Sequence, residues 1–113
     1  MPYVRISTTA PLDGKKKSAL LEAVAPLLPI LPGKNRNNAM IHITGDEFMA
    51  MGDPAAVCAF AEIRLYGKAP ASAKEKFAAA LTEALCAATG AAPDHVYLNY
   101  FEMDHWGMNG TVI

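Results

Sequence analysis

Proline at position 2, directly after Met1, is the residue of this chain with the most unusual chemical potential. Initiator methionine is normally removed when the second residue is small. Its removal here leaves a secondary amine as the first atom of the chain. An α-amino group titrates at about 7.7–8.0, and an apolar site lowers that value. An amine poised near neutral pH is a general base of the kind that proton transfer needs. The ordinary role of such a proline is an inert lead-in to a strand.

Other reactive chemistry is sparse. His42, His95 and His105 are scattered without metal-ligand spacing, and the isolated glycines Gly33, Gly45, Gly52 and Gly67 form no phosphate-cradling loop. Neither a metal nor a cofactor is expected. Cys58 and Cys86 stand in apolar surroundings with no Cys-x-x-Cys and read as small buried hydrophobes, as in a reduced, cytoplasmic protein. The first ten residues lack the basic and apolar regions of a signal peptide, and no apolar run reaches transmembrane length. Net charge is −1, from ten basic and eleven acidic side chains, which leaves no electrostatic footprint for nucleic acid or an anionic membrane. The one basic run, Lys15-Lys16-Lys17, reads as a solvated helix face.

The elements that would position Pro2 come in two copies. Val4-Arg5-Ile6-Ser7 matches Ile63-Arg64-Leu65-Tyr66, and Ala10-Pro11 matches Ala69-Pro70, at an offset of 59. Further on, Ile41-His42-Ile43 matches Leu98-Asn99-Tyr100 at an offset of 57, which predicts a first helical segment about two residues longer. With 113 residues, 52% hydrophobic, the chain is expected to be a single domain, residues 1–113, made of pseudo-repeats at about 2–55 and 56–113.

Each half reads strand, helix, strand. Strands are predicted over residues 2–8, 39–44, 57–66 and 96–103, with Phe48–Met51 as a short edge piece. Leu20, Leu21, Val24, Leu27, Leu28 and Leu31 mark the first helix, which Pro26 and Pro29 should bend or end early. The second helix carries the stripe Phe77, Ala80, Leu81, Ala84, Leu85 and Ala88. Ser72 and Glu75 are expected to cap its start and Gly90 its end. The expected fold is α/β (α+β): duplicated β-α-β units forming a four-stranded mixed sheet with two helices on one face. Whichever strand face meets the helices, the other keeps aromatic and apolar groups, enough to drive association into a homo-oligomer.

The segment Pro93-Asp94-His95-Val96-Tyr97-Leu98-Asn99-Tyr100-Phe101-Glu102-Met103 resembles the Pro-Asp-x-Val-Tyr-Ile-Asn-Tyr-x-Asp-Met stretch of the tautomerase superfamily, in its macrophage migration inhibitory factor branch, which includes D-dopachrome tautomerase. Pro32-Gly33-Lys34, Met40–Ile43, Phe48–Gly52 and Tyr66-Gly67-Lys68 support the resemblance in the same order along the chain. It implies a homotrimer with active sites at subunit interfaces. It implies a phenylpyruvate tautomerase-like isomerase, cofactor-independent, with the amino-terminal proline as base. On this chain the base would be Pro2, and Lys34 would meet the substrate carboxylate. Tyr66 would line the pocket, while Tyr97 and Asn99 would enter it from the adjacent subunit. Each also has an ordinary role: a solvated loop lysine, an interface tyrosine, a polar strand residue needing partners if buried. Trp106 reads equally as a pocket wall or an interface anchor.

A small enolisable 2-keto acid fits this chemistry. A neutral secondary amine removes the proton beside the carbonyl. A fixed cation at the carboxylate orients the substrate, offsets the developing charge and disfavours the protonated amine. The chain departs from the family pattern at Arg64, which replaces a histidine, at Tyr66, which replaces a smaller aliphatic residue, in the missing thiol pair, and in a shortened segment over 104–111. The alternatives are a related proline-dependent decarboxylase or dehalogenase, or a signalling and protein-binding trimer with a vestigial pocket.

Overall fold

Alternation in the strands decides which side of the sheet is covered. In the computed structural model, which describes residues 1–113, β1 spans Pro2–Thr8 and buries Pro2, Val4, Ile6 and Thr8. The third strand, β3 (Ala59–Tyr66), buries Ala59, Ala61, Ile63 and Leu65 on the same side. Between them come α1 (Gly14–Val24) and β2 (Met40–Thr44), and after them α2 (Ala71–Thr89) and β4 (Val96–Met103). The sheet order is β2-β1-β3-β4. β1 runs parallel to β2 and β3 parallel to β4, as two β-α-β units require, and the central pair is antiparallel. Leu20, Val24, Leu28, Phe77, Leu81 and Leu85 fill the space between sheet and helices.

Val4 and Ile63, equivalent in the internal repeat, are also partners across β1 and β3. A local two-fold axis therefore passes between them and relates the two halves. The extra length of the first half does not lie in its helix, because α1 has 11 residues and α2 has 19. Pro26 and Pro29 end the α-helix at Val24, and the chain tightens into a 3-10 turn over Ala25–Ile30. The additional residues fall in the link that follows, which carries Lys34.

Helix starts follow local chemistry. The Asp13 side chain accepts from the Lys16 backbone N–H at 2.8 Å and caps α1. The expected cap of α2 by Ser72 and Glu75 does not form. Pro70, at φ −59° and ψ 146°, places the break before Ala71, so Ser72 already lies inside the first turn. Glu102 of β4 takes over nearby, accepting from the Ala69 N–H at 2.8 Å and from Lys74 Nζ at 3.0 Å. Gly90 ends α2 in the left-handed conformation at φ 81°, as its position predicts.

Two strand boundaries also differ from expectation. β3 begins at Ala59 rather than Val57, because Cys58 bonds sideways to Thr8 and Thr9: Thr8 Oγ1 donates to its carbonyl and Thr9 Oγ1 accepts from its N–H. Phe48–Met51 forms no strand within this chain. Cys58 is buried and Cys86 half-buried, both as free thiols. No helix is long and apolar enough to cross a membrane. The sheet face away from the helices exposes Tyr97 and Phe101, with Arg5, His42 and Asn99 among them.

Candidate active site

The open end of β1 borders a groove of about 780 Å³. Pro2, Tyr3, Asn38, Met40, Arg64 and Trp106 are among its lining residues. Three sequence features converge there. β1 delivers the amino terminus, the link after α1 supplies Asn38, and the C-terminal segment closes the far side. That segment is a small hairpin, β5 (Gly107–Met108) against β6 (Thr111–Val112). Asn109 and Gly110 form its turn, with φ of 51° and 74°. Asn-Gly is the pair that best tolerates two such positive angles, and it is the signal in the sequence that marks this hairpin. Reciprocal backbone bonds between Trp106 and Ile113, at 3.2 and 2.9 Å, hold Trp106 at the hairpin's base, where it serves as a groove wall.

The amino terminus is electrostatically prepared. The α-amine of Met1 is lowered from 8.0 to about 6, first by partial burial and then by the Lys34 ammonium beside it. An amine so placed is mostly unprotonated at neutral pH, as a base must be. Lys34 is itself fixed: its Nζ donates to the Tyr66 carbonyl at 3.1 Å. The Tyr66 N–H donates to the Met1 carbonyl at 3.2 Å. The backbone of one residue thus holds both Lys34 and Met1. Tyr66 makes both contacts through its backbone, and neither Tyr66 nor Lys34 is among the residues lining this groove in the single chain.

Arg64 faces Tyr3 across the β1–β3 ladder. Its guanidinium lies 5.9 Å from the Tyr3 ring centre and 5.2 Å from that of Phe101. The Glu62 carboxylate approaches to 3.6 Å. The Tyr3 hydroxyl bonds His42 Nδ1 at 2.8 Å. Tyr3, Asn38 and Met40 were not apparent from residue type alone; only the strand pairing Tyr3 to Met40 brings them to one place.

Tyr97 and Asn99 do not meet Pro2 within one chain. Both lie exposed on β4, and Tyr97 borders a second cavity of about 160 Å³ with Met49, Met51, Cys58 and His95. No cluster of three or more His, Cys, Asp or Glu side chains is placed to hold a metal ion.

Comparison with known proteins agrees with this architecture. The family model of macrophage migration inhibitory factor (MIF) matches residues 1–113. The macrophage migration inhibitory factor of Rattus norvegicus is 25% identical over 113 residues, covering 98% of this chain and 97% of the rat protein. Among solved structures, Leishmania major MIF2 superposes with a TM-score of 0.90 at 20% identity, over 100% of this chain and 97% of the other. The homologue from Prochlorococcus marinus gives 0.85 at 19% identity over 97% of each chain. The structure of Pt0534 inactivated by 2-oxo-3-pentynoate gives 0.82 at 19% identity, covering 96% and 93%. The match spans both β-α-β units and the groove at the end of β1, and the chain belongs to the macrophage migration inhibitory factor family.

Proposed function

We propose that this chain is a cofactor-independent keto–enol tautomerase acting on small 2-keto acids of the phenylpyruvate type. The observation that carries this reading is that Pro2 lines the groove while the Met1 α-amine, one residue away, is lowered to about 6 by burial and by Lys34. The reactive group is the Pro2 nitrogen, freed by removal of Met1. It takes a proton from the carbon beside the substrate carbonyl, and the electron pair moves onto the carbonyl oxygen as an enolate. Lys34 holds the substrate carboxylate and offsets that charge. The protonated amine then returns its proton to the oxygen, giving the enol. Ketonisation is the same path reversed.

The subunits associate as a homotrimer in this proposal, with the exposed β4 face of one chain against the groove of the next. Tyr97 and Asn99 then complete the site from the neighbour. Pt0534, which shares the fold, is inactivated by 2-oxo-3-pentynoate, itself a 2-keto acid, and this supports a 2-keto acid as the substrate class proposed here. The test is enol–keto conversion of phenylpyruvate by the mature protein, by Pro2→Gly and by a form retaining Met1. Equal rates in all three overturn the proline base.

A further inference from the structure

One cation lies in the groove wall, a second stands beside the Met1 amine that borders it, and the wall holds no acid. Lys34 stands beside the amine, and Arg64 is a lining residue, whereas none of the lining residues is Asp or Glu. Arg64 is held by its flat faces, with Tyr3 and Phe101 at cation–π distances. That arrangement leaves the donor edge of the guanidinium free. No hydrogen bond engages it, because its only acidic neighbour, Glu62, stands at 3.6 Å on the same strand. A guanidinium with its faces stacked and its edge open presents a fixed fork for a planar oxyanion. One cation suffices for the carboxylate that every 2-keto acid carries, so the second has no assigned partner.

Resting on the reading of this groove as a 2-keto acid site, we propose that Arg64 receives a second anionic group, so that the preferred ligands are dianionic 2-oxo dicarboxylates. The carboxylate next to the keto group lies at Lys34, and the distal carboxylate takes the Arg64 fork. Glu62 is the competitor for that fork and tunes the preference downward.

The test compares 2-oxoglutarate with 2-oxopentanoate, which has the same chain length and lacks the distal carboxylate. Binding to the mature full-length protein is read by calorimetry or amide shifts, independently of turnover. The mature protein is expected to bind the dicarboxylate about tenfold more tightly, the worth of one charged hydrogen-bonding contact. Arg64→Gln brings the affinity for 2-oxoglutarate down to that for 2-oxopentanoate, so the preference disappears, which a merely structural role for Arg64 would not do. Arg64→Lys keeps part of the preference. Glu62→Gln, which leaves the stacked arginine in place, increases it. No preference in the mature protein, a preference that survives Arg64→Gln, or equal weakening of both ligands overturns the proposal. Absence of phenylpyruvate turnover with the preference intact counts against the tautomerase reading and not against the Arg64 fork.

Discussion

The Lys34 ammonium donates to the carbonyl oxygen of Tyr66 at 3.1 Å, and this contact sets the cation beside the chain terminus. A lysine in a loop ordinarily samples many rotamers. Here the acceptor belongs to β3, one of the two central strands, and the same residue's N–H holds the Met1 carbonyl. The charge that perturbs the amine is therefore referenced to the sheet and not to the loop that carries it.

Removing Lys34 separates two roles. In Lys34→Ala, the KM for phenylpyruvate is expected to rise about 10- to 100-fold, the loss of a charge-assisted contact to the carboxylate. The amine also loses one of the causes that lower it, so its titration moves back toward 8.0, though not fully, since burial is the larger cause. The pH profile of kcat/KM distinguishes the two effects. An unmoved acidic limb in the variant would show that Lys34 does not act on the base.

The base itself is addressed by Pro2→Gly and by retention of Met1. General-base catalysis contributes about 100- to 10,000-fold, so both changes should reduce kcat/KM by about 100-fold or more. In the proposed mechanism the free base of the mature protein is the active form. Activity on the acidic side should therefore rise with pH and level off below pH 8, because the surroundings that lower the Met1 amine, burial and the Lys34 ammonium, lie one residue from the Pro2 nitrogen. A rise centred at 8 would mean that the groove leaves the proline amine unperturbed.

Glu102 links pH to stability. Its carboxyl is held below the ordinary 4.5 by the Ala69 N–H first and Lys74 second. The folded state thus binds its proton less readily than the unfolded chain does. The stabilisation is complete above pH 4.5 and is lost as pH falls through the folded value. Glu102→Gln should lower the urea midpoint at pH 7, with a gap that narrows steadily on acidification below pH 4.5. A gap independent of pH would assign the effect to packing.

Gly45 is required by contact rather than by backbone angle. A Cβ there would stand 2.8 Å from Leu12 Cβ and 3.0 Å from the Ala10 carbonyl. Leu12 is buried, so neither group has room to yield. Gly45→Ala is expected to cost about 1–3 kcal/mol in urea unfolding, the usual range for overpacking.

Assembly is tested on β4. Tyr97 is 56% and Phe101 37% exposed, on a face that one chain leaves uncovered. The native protein should elute at three times the 12.0 kDa of a single chain. The double variant Tyr97→Asp, Phe101→Asp should elute as a monomer and lose phenylpyruvate turnover. A monomeric native protein with full activity would remove Tyr97 and Asn99 from the site.

Much of this architecture is legible in the sequence because strands declare themselves by alternation and Pro26 and Pro29 punctuate the first helix. The failures have a common origin in neighbours. Ser72 and Glu75 have the right spacing for a cap, yet Pro70 moves the helix start past them. Val57 has the right side chain for a strand, yet Thr8 and Thr9 draw the next residue out of the ladder. At the candidate site, residue type singles out Pro2, the family resemblance adds Lys34, and Trp106 stays open between wall and interface anchor until the structure puts it in the groove lining. Tyr66 is expected there for its ring, whereas the contacts seen in one chain are made by its backbone, which a residue's letter does not describe. Arg64 could be noticed as unusual, but its two aromatic neighbours come from β1 and β4 and only the strand register joins them.

The axis between Val4 and Ile63 also fixes a stoichiometry. The second half repeats the first, and its counterpart of Pro2 is Ala61, a mid-strand residue paired with Ile6. The Ala61 nitrogen is an amide with chain on both sides, so the two β-α-β units share a single terminal amine. Equivalents of an amine-directed active-site label should therefore saturate at one per chain, not one per β-α-β unit, whatever the number of chains that assemble.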